Sequence, residues 1–359
     1  MKNLDEIRKG INAIDTQMAK LFEQRMELSR EVFGFKKEKG LPINDPVREA
    51  DVIARTSQLI EDDEIKEYFI RFQQGMMDLS KDYQSRLMRG MKVSYCGVPG
   101  AFASIAAARM FPEAEFVPFP DFEGAYNACS EGLCDAAVLP FENSFAGEVS
   151  AVTDLMFSGN LYVNQVMEIE VLQNLVACEG ASLEGIKEVV SHPQAISQCS
   201  RYLKEKGYIV HEYPNTAAAA KMVAARNDPS VAAIASAEAA ELYGLKLIDR
   251  NINSSTANTT RFAAFSRVLN SEKSRKKTGR HFILMFTVKN EAGSLAKTLN
   301  IIGAHNYNMS NLRSRPMKGL MWNYYFFIEL EGNLNSEEGR SMMIELGTLC
   351  DRLKIVGIF

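Results

Sequence analysis

A few side chains near the N-terminus are the first in this sequence that could grip a small anion. Arg25 and Lys36 are eleven residues apart, close to three helical turns, so both reach one side of a helix and a single anionic ligand could meet both. Arg8 stands seventeen residues before Arg25, roughly 25 Å along the axis at ~1.5 Å per residue. It is too far away to share that ligand within one chain, but an antiparallel partner helix would bring its own Arg8 beside Arg25. Asp45, Arg48 and Glu49 fall at i, i+3 and i+4, and Ser80 and Gln84 at i and i+4, so each set shares a helix face. Such faces are most often solvated surface. Arg25 stands apart, because it sits in an apolar seam where an arginine is costly unless an anion meets it.

Further along, four local motifs carry polar groups where strands end. In GVPGAFAS, Gly97 and Gly100 permit a tight turn and Ser104 can cap the helix that follows; a turn with no ligand would look the same. LPFENSFAG sets Glu142, Asn143 and Ser144 directly after a strand, where ligands of α/β sheets gather. SHPQAISQC places Ser191, His192 and Gln194 after another strand, and a lone histidine there is more often a helix cap or structural group than a base. In NTTRF, Thr260 stands beside Arg261. The arginine can pair a carboxylate, and the hydroxyl can donate a proton or a hydrogen bond.

These residues need elements to hold them. Ile7, Ile11, Ile14, Met18, Leu21, Leu28, Val32 and Phe35 recur at alternating steps of three and four, the seam of a helix from Leu4 to Lys36. At ~1.5 Å per residue it would be about 50 Å long, which predicts that it finishes burying itself against another subunit. Gly40 and Pro42 end it, Asp45-Pro46 opens a second helix, and a third follows Asp62-Asp63. From Lys92 to about Arg267, short β-branched runs (AAVLPF, EVVSHP, VAAIAS) alternate with Ala-rich helices, the pattern of an α/β domain with a mainly parallel sheet. NSEKSRKKTGR reads as a solvated linker, and the remainder follows the ferredoxin-like order βαββαβ. The expected division is 1–90 (all-α), 91–268 (α/β), 269–280 (linker) and 281–359 (α+β).

Composition narrows the class. The chain has 359 residues, 46% hydrophobic and 24% charged, with a formal net charge of −4, which suits a multidomain globular protein and argues against affinity won by phosphate neutralisation. No nucleic-acid partner is expected. Six cysteines show no CxxC pair and no histidine at ligand spacing, so neither a metal site nor a disulfide framework is expected. The N-terminus is charged from the start and no apolar stretch approaches membrane-spanning length, which makes the cytoplasm the expected location.

Residues 3 to 88 resemble the all-helical chorismate mutase family, with Arg8, Arg25, Lys36, Asp45, Arg48, Glu49, Ser80 and Gln84 on the family's site positions. The resemblance implies rearrangement of chorismate to prephenate by charge placement alone. Arginines, Arg8 among them from a second subunit, would hold the two substrate carboxylates. Lys36 and Gln84 would meet the ether oxygen, Glu49 and Asp45 the substrate hydroxyl and nearby backbone, and Ser80 and Arg48 would position the ligand. Residues 92 to 267 resemble the prephenate dehydratase family through the ordered set Gly-rich turn, PxEN, SHPQ and TRF. That likeness implies a two-lobed fold like the periplasmic binding proteins and loss of carbon dioxide and water from prephenate to give phenylpyruvate. Thr260 would be the essential group, with Arg261 ordering the site or holding a carboxylate, and Glu142, Asn143, Ser144, Ser191, His192 and Gln194 lining the cleft. Ala101 and Ala103 replace hydroxyl residues common in the family's Gly-rich loop. Residues 281 to 358 resemble an ACT domain, with Gly293, Ser294 and Leu295 matching its Gly-x-Leu turn and Ser314, Arg315 and Pro316 its Ser-Arg-Pro motif. Arg313 stands where Glu is usual. The implied effector is phenylalanine, bound at a dimer interface; no cofactor is implied. A pure aromatic-acid sensor, or a dehydratase that prefers arogenate, are the rival readings.

Overall fold

The computed structural model describes residues 3–254, 258–269, 281–317 and 323–359. Most of the predicted linker, from 270 onward, and Trp322 of the predicted strand WNYYFFIEL lie outside these residues. The chain divides into two compact units, Met1–Met91 and Lys92–Phe359. Among the described residues no helix is long and apolar enough to cross a membrane.

The first unit is three helices, α1 (Leu4–Lys39), α2 (Pro46–Ser57) and α3 (Asp63–Arg89). Their ends are written in the sequence. Asn3 and Glu6 form a capping box at the start of α1, and Gly40 adopts the left-handed conformation at its end. Asp45 caps α2 ahead of Pro46, and Asp62 caps α3. Both α1 and α2 pack on α3, and Arg30 of α1 donates to the Tyr83 hydroxyl at 2.7 Å. Yet no residue of α1 is buried, and its seam from Leu4 to Phe35 stays exposed.

The second unit begins β1 (Lys92–Cys96), α4 (Phe102–Met110), β2 (Glu115–Phe119), α5 (Phe122–Ser130), β3 (Ala136–Asn143), β4 (Gly147–Glu148), α6 (Ser150–Ser158) and β5 (Tyr162–Glu170). The chain then builds a second lobe from β6 (Asn174–Ala177), β7 (Glu188–Ser191), α7 (Pro193–Gln198), α8 (Ser200–Lys206), β8 (Ile209–Glu212), α9 (Thr216–Arg226), β9 (Val231–Ala235), α10 (Ala237–Leu242) and β10 (Lys246–Asp249). It returns to the first lobe as β11 (Thr259–Ser266). After that come β12 (His281–Thr287), α11 (Ser294–Ala304), β13 (Asn308–Pro316), β14 (Tyr324–Glu331), α12 (Glu337–Leu349) and β15 (Arg352–Ile358).

Instead of one mainly parallel sheet there are two mixed ones. The second-lobe order is β10-β6-β9-β7-β8, with β6 antiparallel to both neighbours. In the first lobe β11 lies between β3 and β5, antiparallel to each. The strands that carry the chain out and back must run in opposite senses, a fact no hydrophobic period encodes. The C-terminal βαββαβ segment does not part from the first lobe as a unit of its own. Its sheet, β13-β14-β12-β15, continues through β5 into the lobe's sheet, joined at Gly357 opposite Val163. A Cβ at Gly357 would collide with the Val163 backbone, so only glycine permits this approach. One core spans the junction, with Ile283, Met285 and Phe327 packed with Leu139, Val163 and Phe265. Burial of each such side chain contributes about 1.5–3 kcal/mol.

Candidate active sites

In the helical unit a cavity of about 400 Å³ is walled by Arg25 and Lys36 of α1, Asp45, Arg48 and Glu49 at the start of α2, and Ser80 and Gln84 of α3. Ser80 and Gln84 are buried, one turn apart. Arg25 donates to the Ser80 hydroxyl, and burial lowers its pKa, the mark of a guanidinium short of an anionic partner. Lys36 Nζ donates to the Ile43 carbonyl at 2.7 Å. Gln84 Oε1 is buried and, among the described residues, without a hydrogen-bond partner. Arg8 is not in this wall; it is well exposed and lies 4.0 Å from Asp5. The sequence reading passed over Lys81, whose ammonium lies 3.0 Å from Glu49 Oε2 and 2.9 Å from Asp78 Oδ1. Hydrogen bonds to Asp78 and then Glu49 raise its pKa.

In the second unit, Thr260 and Arg261 are neighbours on β11 and therefore face opposite sides of the sheet. Thr260 pairs with Asn143 and Arg261 with Glu142 on the adjacent β3. On the first face Asn143 Nδ2 donates to Thr260 Oγ1 at 2.8 Å and to Asn258 Oδ1 at 2.9 Å. The Asn143 side-chain Oδ1 in turn accepts from the Phe145 and Ala146 amides. With its oxygen occupied by a donor, the Thr260 hydroxyl has its own proton to offer. Ser144 lies close by, its Oγ accepting from the Thr259 amide at 2.9 Å.

On the opposite face Arg261 makes two bonds of 2.8 Å to Glu329 of β14 and one of 2.9 Å to Glu142. Arg313 and Asn311 of β13 also bind Glu142. Burial opposes the Arg261 charge, but Glu329 and Glu142 outweigh it and hold the guanidinium above its usual range. Glu142 and Arg261 thus turn toward the C-terminal segment, not into one cleft with Thr260.

The other expected residues are dispersed. Ser191 is fully buried and donates to the Ile234 carbonyl inside the second lobe. His192 caps α7, its Nδ1 accepting from the Gln194 amide at 3.2 Å, while Gln194 itself is exposed. The Gly-rich turn is a contact between lobes. A Cβ on Gly100 would lie 3.3 Å from Ala239 and Leu242, and Tyr243 donates to the Pro99 carbonyl at 2.6 Å. The helix after that turn is headed by Ala101 with no side-chain cap, and Ser104 reaches the Tyr95 hydroxyl instead of capping. Gly293, left-handed, starts α11, whose first turn holds Ser294 and Leu295. On β13, Ser314 and Pro316 are exposed, whereas Arg315 between them binds Asp154 at 3.1 Å, the Tyr325 hydroxyl at 3.0 Å and Ser150 at 2.6 Å.

Comparison with known proteins places this architecture. The prephenate dehydratase pattern matches residues 93–269, and the chorismate mutase type II pattern matches residues 7–85. The chain is 31% identical over 280 residues to arogenate dehydratase/prephenate dehydratase 2 of Arabidopsis thaliana, covering 75% of this chain and 72% of that protein. Against the bifunctional chorismate mutase/prephenate dehydratase of Escherichia coli it is 29% identical over 371 residues, covering 98% and 95%. A solved structure described as a quorum quenching acylase, GqqA, superposes with a TM-score of 0.68 at 28% identity, covering 74% of this chain and 97% of that one. The chain belongs to the prephenate dehydratase family and is an enzyme that carries a chorismate mutase module ahead of its dehydratase, two activities of phenylalanine biosynthesis.

Proposed function

We propose that the helical unit turns chorismate into prephenate, that the two-lobed unit turns prephenate into phenylpyruvate, and that the C-terminal segment is an ACT domain through which phenylalanine inhibits. The gathering of cations and donors from three helices around one cavity carries the mutase half. Arg25 binds one substrate carboxylate and, with the Arg8 of a partner subunit, holds the compact reactive conformer. As the ether C–O bond breaks, negative charge grows on oxygen, and the Lys36 ammonium and the Gln84 amide stabilise it more in the transition state than in the substrate. Asp45 and Glu49 meet the substrate hydroxyl and backbone, with Arg48 and Ser80 positioning. The partner is a second copy of this chain. Beside Arg25 an apolar groove of about 820 Å³, lined by Met18, Leu21, Phe22, Phe72 and Leu79, continues the exposed α1 seam and suits an antiparallel α1.

In the dehydratase, Thr260 protonates or hydrogen-bonds the departing ring hydroxyl. The electron pair of the breaking bond to the carboxylate flows into the ring, carbon dioxide and water leave, and aromatisation drives the step without a cofactor. In the second lobe Ser191 and His192 hold the loop at the head of α7, Ser191 from within the core and His192 as a cap, not as a base, which leaves the exposed Gln194 to face substrate. The acylase resemblance does not favour a nucleophilic Thr260: among the described residues its hydrogen bond is to Asn143 and no base is placed to activate it. A cytoplasmic homodimer or higher homo-oligomer completes the reading. Supplying chorismate to the purified chain and following phenylpyruvate tests it. Phenylpyruvate formation, reduced by added phenylalanine, is expected. Accumulation of prephenate with turnover of arogenate would give the dehydratase the other substrate, and release of acid from an acyl amide would favour the acylase.

A further inference from the structure

We propose that Arg313 and Glu329 of the C-terminal segment are positioning residues for dehydration, acting on Thr260 from the far face of β3 and β11; this rests on reading Thr260 as the dehydratase group. Each of these strands serves both faces. On the near face Asn143 holds Thr260 Oγ1 at 2.8 Å. One residue away on each strand, Glu142 and Arg261 bind each other at 2.9 Å on the far face, and the C-terminal strands hold both. Glu329 grips Arg261 through two bonds of 2.8 Å, a planar fork that fixes direction as well as distance. Arg313 binds Glu142, with Asn311 at 3.2 Å on the same oxygen.

Glu329 is 2% exposed, and besides Arg261 it faces the His281 ring nitrogen at 3.2 Å, so releasing Arg261 would leave its buried carboxylate with that imidazole alone. The β3–β11 ladder shifts register between Arg261 and Phe262, so the ion cluster bridges the two strands at the last regular pair before the irregular step, one residue from Thr260. Through these bonds the positions of β13 and β14 bear on Glu142 and Arg261, and through one residue of strand backbone on Asn143 and Thr260. A glutamate at 313, usual in ACT domains, would face Glu142 with like charge. The arginine here matches it.

The test uses the full chain, because removing the segment would strip Ile283, Met285 and Phe327 from the shared core. Arg313→Met, Arg313→Lys and Glu329→Gln are assayed with supplied prephenate, with chorismate turnover and Tm measured on the same samples. For Arg313→Met and Glu329→Gln, kcat for dehydration should fall roughly 10- to 100-fold, the scale of a displaced catalytic group, with KM within about threefold of the parent and chorismate turnover unchanged. Arg313→Lys should recover most of the loss. A kcat within about twofold of the parent in both variants, or a change confined to KM, overturns the proposal. So does an Arg313→Lys variant as slow as Arg313→Met with the same lowered Tm, which would make the contact merely structural. If the parent chain makes no phenylpyruvate from prephenate, the reading of Thr260 fails first and this proposal falls with it.

Discussion

The two sites of this chain are built by opposite means. In the helical unit, charged and polar side chains from three helices ring a cavity, yet α1, which supplies Arg25 and Lys36, buries none of its residues. In the second unit, Thr260 and Asn143 lie on paired strands whose neighbours, Phe262 and Phe141, are almost wholly inaccessible. The first site is held by helices whose longest member leaves its apolar seam uncovered, the second by a core already closed around it. The contrast teaches that, if the proposed association of α1 holds, one polypeptide can carry one activity sensitive to its concentration beside another that is not.

The sharpest way to break the comparison is to disable each site in turn. Arg25→Ala should lower chorismate turnover by about 100-fold or more while leaving dehydration of supplied prephenate unchanged, and Thr260→Ala should do the reverse. Either substitution lowering both rates in parallel would end the claim of independent sites. A smaller effect is expected from a charge in the α1 seam. Ile14→Lys should weaken association, so that specific mutase activity falls roughly tenfold and drops further on dilution, while dehydration per milligram holds. Light scattering on the same dilution series reads the assembly directly. The smallest effect belongs to Lys81→Met. It should slow the mutase about 2- to 5-fold, the scale of a part-exposed ion pair worth up to ~1 kcal/mol, with Lys81→Arg nearer the parent. An unchanged rate would make the Lys81–Glu49 pair incidental.

Much of this was legible beforehand, and what was not has physical reasons. Helix ends are local chemistry, so Gly40, Asp45-Pro46 and Asp62 mark them in the sequence as they do in space, while the Asn3 cap went unread. The eleven-residue step from Arg25 to Lys36 is likewise geometry within one helix. Strand alternation could have separated Thr260 from Arg261, and Glu142 from Asn143, because adjacent residues of a strand point to opposite faces; grouping each motif as one cleft ignored that period. Strand direction was beyond reach, since β11 takes its partners from positions more than a hundred residues away in β3 and its sense from the path between lobes. Lys81 was hidden for a related reason. Its partner Glu49 is 32 residues distant, and only the packing of α2 on α3 makes them neighbours.

At Gly357 the structure holds a vulnerability out of proportion to its size. Two sheets are sewn together at a place where one hydrogen atom is all the side chain that fits. A single methyl group there would prise the seam, opening the hydrophobic interior beneath it to water. Any descendant of this chain that released its C-terminal segment to move as a free body could begin with that one substitution, before losing a single charged contact.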